Sequence, residues 1–201
     1  MRKQDVRLCE ECGVDVLGFV VEYPRDVPWN LTRVQAKELI AIAKRPTCIV
    51  TGGSPKSVIA LARELNPAMV QLHYKETISQ TAEIATELKK FGIKTTRAVH
   101  EDTTVKALSE TEIEAILVDS RTSENAATST LEIDTDLFNR VREKTTKPLI
   151  IAGGITPENV GDIIARTMAE WIDVMSGVEH SPGVKDRTKI EALVRNSNRY
   201  V

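Results

Sequence analysis

The sequence predicts an α/β fold built as a parallel β/α barrel, and three observations predict it. Short β-branched runs alternate with longer segments of helical period, about every 20–30 residues, as parallel β/α units do. Several of these runs are nearly continuous in apolar residues, the pattern of strands covered on both faces. The last two candidate strands end on glycine, at the place where barrels of this kind cradle anions.

From Arg2 to Cys12 the spacing of Val6, Leu8 and Cys9 reads as an amphipathic helix, and Gly13 terminates it. Strands are expected at Val16–Glu22, Thr47–Thr51, Met69–His73, Lys94–Val99, Ala115–Ser120, Leu149–Gly153 and Ile172–Ser176. Thr32 opens a helical segment carrying Val34, Ala36, Leu39, Ile40, Ile42 and Ala43; Ser54-Pro55 opens Val58 to Leu65; Thr156-Pro157-Glu158 opens Val160 to Thr167. Each has Ser or Thr in N-cap position, two with proline just inside. A last helix runs from about Asp186 to Arg199. Seven strands are counted where a closed barrel needs eight, so the expectation is a (β/α)8 TIM barrel missing its first β-strand in this chain. No Ser/Gly linker or change of composition divides it, so residues 1–201 read as a single phosphate-binding domain.

Bulk properties exclude several partners. The chain has 201 residues, 41% hydrophobic and 28% charged, the profile of a globular protein. Formal net charge is -2 with both signs mixed along the length, so no basic face is offered to nucleic acid or to a membrane. Cys9, Cys12 and Cys48 are an odd set without an apolar signal segment, which points to a reducing, cytoplasmic setting. Cys9-x-x-Cys12 lacks a second ligand pair and falls within the expected first helix, so it reads as packing rather than zinc or redox chemistry.

The chemistry concentrates near the C-terminus. Leu149-Ile150-Ile151-Ala152-Gly153-Gly154-Ile155 and Asp173-Val174-Met175-Ser176-Gly177-Val178-Glu179 are consecutive strand ends whose glycines let backbone N–H groups approach an anion. The second, followed by Ser181-Pro182-Gly183-Val184-Lys185-Asp186, resembles the SSGVE-SPGxKD signature of phosphoribosylanthranilate isomerases, with Met175 in place of the first serine. Further stretches match that family in order: Asp15 to Phe19, Val70-Gln71-Leu72-His73, Ile116 to Ser120, and Ala152 to Ile155 with Pro157-Glu158-Asn159-Val160.

The resemblance implies an intramolecular aldose–ketose isomerase. Its members carry out the Amadori rearrangement of phosphoribosylanthranilate in tryptophan synthesis. An acid protonates the ribose ring oxygen and a base removes the C2′ proton, which requires two groups that titrate differently. By resemblance Asp119 is the general acid, at a strand end where burial would raise its pKa. Arg25 corresponds to the arginine directed at the anthranilate carboxylate, a task suited to a guanidinium fork. Gln71 and His73 share one side of their strand and are read as pocket residues, though a histidine such as His73 taken alone is more often a hydrogen-bonded core residue than a catalyst. Gly153, Gly154, Ser176 and Gly177 would hold the phosphate. The chemistry calls for no cofactor and no metal.

Three features depart from the family. The strand that ends in the basic cysteine would lie upstream of the helix containing Asp5, where Met1 stands. The glycine-rich loop expected after Asp119 is replaced by Arg121 to Thr130, which has no glycine, and Tyr74 stands where a glycine is usual. Three accounts stay open: a start internal to a longer native chain; a catalytically silent paralogue that binds a phosphate ligand as sensor or partner subunit; or another phosphate-barrel enzyme, against which the SPGxKD stretch argues. Unpaired edges at Val16–Glu22 and Ile172–Ser176 predict a homodimer, a distortion, or another segment filling the gap. Glu22, beside the Arg25 loop, is either a substitute base or a solvated loop carboxylate.

Overall fold

The computed structural model describes residues 1–119 and 133–198. The expected loop 121–130, Ser120 and Arg199 lie outside them. The first helix, α1 (Lys3–Glu11), is closed by Gly13 in the left-handed region (φ 85), with Val14 N–H donating to Cys9 O at 3.0 Å. Glycine carries that turn because a Cβ would be strained there. There follow β1 (Leu17–Val20), α2 (Arg33–Ile42), β2 (Thr47–Thr51), α3 (Pro55–Leu65), β3 (Met69–Leu72), α4 (Ile78–Lys89), β4 (Lys94–Val99), α5 (Val105–Ser109) and β5 (Ala115–Asp119). Beyond the undescribed stretch come α6 (Thr135–Arg142), β6 (Leu149–Ala152), α7 (Val160–Thr167), β7 (Trp171–Asp173), a 3-10 turn (Ser176–Val178), the hairpin β8 (Glu179–Ser181) and β9 (Val184–Lys185), and α8 (Arg187–Ser197).

The helix starts follow the sequence's caps in most cases. Thr32 and Thr77 each accept from the N–H three residues on and are answered by Gln35 and Gln80, a reciprocal capping box. Ser54 caps α3 with Pro55 at its first position, and Asp186 caps α8. Thr156 was expected as the N-cap of α7 but stands one turn ahead of it, its hydroxyl accepting from Glu158 N–H at 3.3 Å and its carbonyl from Val160 N–H at 3.1 Å. Asn159 is the N-cap residue instead: its side chain accepts from Thr156 N–H at 2.7 Å and donates to Gly154 O at 2.9 Å. The Asn159 amide, accepting at one end and donating at the other, stitches the glycine loop to the helix.

Seven strands pair in parallel in the order β1 to β7, each beside its neighbour in sequence. The main hydrophobic core lies between the sheet and the helices, with Phe19, Ile49, Leu72, Ile116, Ile151, Leu61, Ile84 and Phe138 buried in it. The other face of the sheet carries a smaller cluster of Ala98, Leu117 and Ala152. Period-2 alternation produces this division, since neighbours in one strand point to opposite faces. β7 is displaced from the expected Ile172–Ser176: Met175 leaves the extended region (φ -112, ψ -76) and Ser176 begins the 3-10 turn. The Ser181-Pro182-Gly183 stretch is a hairpin turn, with Gly183 at φ 78.

The register sets the site. Asp119 pairs with Ala152, and Ala152 with Asp173, so the ends of β5, β6 and β7 stand at one level. Among the described residues neither β1 nor β7 has a second strand neighbour. The C-terminal end of β1 is met by a single bridge: Leu31 N–H donates to Val20 O at 2.9 Å and Glu22 N–H to Leu31 O at 3.1 Å. Another segment therefore occupies part of that edge. Among the described residues no helix is long and apolar enough to cross a membrane.

Candidate active site

Asp119 ends β5 and is buried at 5% exposure. Its carboxylate Oδ2 faces His73 Nε2 at 3.6 Å, just beyond a hydrogen bond and within ion-pair reach. His73 follows β3 directly, and its N–H donates to Thr51 O at 3.1 Å, which continues the ladder by one residue. Gln71, two residues earlier and buried, places its Nε2 3.3 Å from His73 Nδ1. Three predicted residues, Gln71, His73 and Asp119, thus lie in one line with His73 between the other two.

The glycine lips are also brought together. Gly153 and Gly154 both take left-handed conformations (φ 95 and φ 71). A Cβ added to Gly177 would stand 1.8 Å from Ile155 O, so the loop after β7 runs against the loop after β6 in a contact only glycine permits. Below them Lys185, nearly buried, donates to Met175 O at 2.7 Å and pairs with Glu179 at 3.2 Å, while its backbone N–H reaches Asp5 at 3.3 Å. The hairpin and α1 together fix the position of the Ser176–Gly177 turn.

Arg25 lies apart from this cluster. It is exposed in the loop after β1, with its guanidinium carbon 5.7 Å from the centre of the Tyr74 ring. Tyr74 meets Tyr23 edge to face at 5.9 Å, and Tyr23 Oη donates to His73 O at 2.7 Å. Gly52 makes room for that tyrosine, since a Cβ there would meet Tyr74 Cβ at 2.4 Å. Glu22 is not turned to the mouth: both its carboxylate oxygens accept from Arg33 on α2, at 3.1 and 2.9 Å. Of the two alternatives for Glu22 this geometry favours the loop carboxylate, here paired to Arg33 rather than directed at the pocket.

Several functional neighbours escaped the sequence reading. His100, just past β4, donates from Nδ1 to the Asp119 carbonyl at 2.9 Å, since a carbonyl can only accept, and its ring lies 5.7 Å from that of His73. Glu76 is fully buried, pairs with Arg97 at 3.3 Å and accepts from Gly53 N–H at 2.8 Å. Arg97 in turn donates to the carbonyls of Leu72, Tyr74 and Glu76. Burial pulls the Arg97 guanidinium below its ordinary value, with the Glu76 charge opposing that. Asp173 holds Gln71 from across the sheet at 3.3 Å. Period-2 counting finds Asp173 on the Gln71 side of the sheet only once the strand register is known.

All three cysteines are free and buried. Burial raises the Cys9 thiol to about 11, and burial, with the nearby Asp173 charge, raises Cys48 further. Among the described residues no group of three or more His, Cys, Asp or Glu side chains could hold a metal ion.

Comparison with known proteins places these features. The N-(5'-phosphoribosyl)anthranilate isomerase of Haloferax volcanii is 30% identical over 194 residues, covering 94% of this chain and 86% of that protein. That of Natronomonas pharaonis is 28% identical, covering 96% and 91%. The crystal structure of phosphoribosyl anthranilate isomerase from Thermotoga maritima superposes with a TM-score of 0.83 at 26% identity, covering 99% of this chain and 95% of that one. A phosphoribosyl anthranilate isomerase solved with reduced 1-(o-carboxyphenylamino)-1-deoxyribulose 5-phosphate superposes at 0.80 with 25% identity, covering 98% and 94%. The family model of N-(5'-phosphoribosyl)anthranilate isomerase matches residues 3–196, and a match that runs from α1 into α8 makes this chain a member of that family.

Proposed function

We propose that this chain catalyses the Amadori rearrangement of N-(5'-phosphoribosyl)anthranilate to its aminoketose, as an aldose–ketose isomerase of tryptophan biosynthesis. The observation that carries the reading is the meeting of the two glycine lips, Ile155 against Gly177, beside strand ends that bear Asp119. In this reading the backbone at Gly153, Gly154, Ser176 and Gly177 takes the phosphate. Asp119 gives its proton to the ribose ring oxygen as the anthranilate nitrogen's lone pair forms C1′=N and the C1′–O bond breaks. A general base then takes the C2′ proton, the C2′–H pair forms C1′=C2′ while the C=N pair returns to nitrogen, and the resulting enol takes a proton at C1′ to become the ketone. Arg25, stacked on Tyr74, receives the anthranilate carboxylate, and Gln71 and His73 line the pocket.

The same proposal treats residues 1–201 as one cytoplasmic (β/α)8 barrel domain in which, among the described residues, no strand lies between β7 and β1. A homodimer through these edges would satisfy their backbone groups.

Loss of substrate fluorescence measures the reaction directly. Turnover in the parent chain and a fall of about 10²–10⁴ in kcat for Asp119→Asn are expected. An Asp119→Asn variant as fast as the parent would sink the acid assignment. One observation favours a second reading, a phosphate-ligand binder without turnover: the three thiols are each turned into packing and held protonated. Calorimetric binding of the reduced aminoketose analogue with no turnover would select it.

A further inference from the structure

The interior face of the sheet carries a connected line of polar side chains that runs from β7 to β5 through β3. Gln71 Nε2 lies 3.3 Å from Asp173 Oδ2 and also 3.3 Å from His73 Nδ1. His73 Nε2 faces Asp119 Oδ2 at 3.6 Å. The direction of both hydrogen bonds in this line can be deduced. A carboxylate only accepts, so the Gln71 atom facing Asp173 must be the amide nitrogen. That nitrogen has two hydrogens, and the second is then aimed at His73 Nδ1. A ring nitrogen that receives a hydrogen bond carries no proton, so in the neutral imidazole the proton is on Nε2, on the Asp119 side.

We propose that Asp173 is a positioning residue for the isomerisation: by accepting from Gln71 it locks the amide, and through it fixes His73 as the Nε2–H tautomer directed at Asp119. The assignment rests on the reading of Asp119 as general acid. The benefit falls at the moment of proton transfer. When Asp119 loses its proton to the sugar, a carboxylate forms, and an N–H already aimed at it stabilises that charge without reorganisation. The 3.6 Å separation leaves room for the contact to shorten when substrate occupies the mouth. His100 completes the arrangement from the other side by holding the Asp119 main chain.

The geometry explains an otherwise awkward placement. Asp173 shares the interior of the sheet with buried Cys48 and is only half-exposed, an expensive site for a carboxylate without a partner. Its partner is Gln71, 102 residues away in sequence and four strands away in the sheet.

The test is nitrogen NMR of the uniformly ¹⁵N-labelled chain near pH 8, together with steady-state kinetics. The parent should show His73 with Nδ1 unprotonated and a scalar coupling across the Gln71 N–H···Nδ1 bond. Asp173→Leu should lose the coupling, admit the Nδ1–H form and lower kcat about tenfold with a smaller change in KM. Asp173→Asn, whose Oδ1 still accepts, should restore the coupling and most of kcat. Melting curves of both variants separate this from general loss of fold. A protonated Nδ1 in the parent, or an Asp173→Leu spectrum identical to the parent's, would overturn the proposal. A parent chain with the predicted coupling and no turnover would instead count against the isomerase reading, because the ring is observed without catalysis.

Discussion

At the scale of single residues, burial and hydrogen bonding decide which ionisable groups can act. Burial by itself would raise the Asp5 carboxyl, but the Arg2 side chain and backbone bonds outweigh it and hold the group below its ordinary value. A carboxyl depressed in the folded state adds stability above the unfolded pKa, near 4, and loses it as pH falls through the folded value. Asp5→Asn should therefore cost about 1 kcal/mol at pH 7, the usual worth of a capping interaction, and the gap to the parent should close below about pH 4 in urea titrations. The cysteines follow the same logic with the opposite sign. With Cys9 raised to about 11 by burial, the thiolate is scarce at pH 8, so native protein should react with a disulfide reagent about 100-fold more slowly than denatured protein. Fast labelling of any thiol in the native state would contradict the packing described. Gly177→Ala would drive a methyl into the Ile155 carbonyl, and a KM increase of about tenfold is expected, with inorganic phosphate binding weakened in parallel by calorimetry.

At the scale of elements, the loop that follows β3 is held by charge rather than by apolar packing. Glu76 and Arg97 are nearly enclosed, and between them they satisfy the N–H groups of Gly53 and Tyr74 and three carbonyls. Removing one partner leaves the other charge nearly enclosed and uncompensated. Glu76→Met or Arg97→Met should each cost about 3–5 kcal/mol in chemical denaturation, and the double variant should cost clearly less than the sum. Additive losses would show that the two side chains act independently. This loop also carries His73, so the single variants should disturb turnover even where the fold survives. In the sequence, Glu76 and Arg97 read as two ordinary surface charges, because nothing in either segment indicates that β4 delivers the guanidinium beneath the β3 loop.

At the scale of the molecule, seven parallel strands leave β1 and β7 with unpaired edges among the described residues, and Leu31 covers only the end of β1. Trp171, about half-exposed on β7, adds apolar area beside one of these edges. Edge pairing between two copies should give a scattering mass near twice 22.3 kDa, and a compact particle at the single-chain mass would exclude it. Strand and helix order, the caps at Thr32 and Ser54, and the glycine lips were legible in the sequence because each depends on local periodicity or on one residue's backbone preference. The pairing of lips across β6 and β7, the turning of Glu22 toward Arg33 and the line from Asp173 to Asp119 were not. Those depend on strand register and sheet curvature, which bring together side chains as much as 102 residues apart, and no local pattern encodes a distance across a sheet.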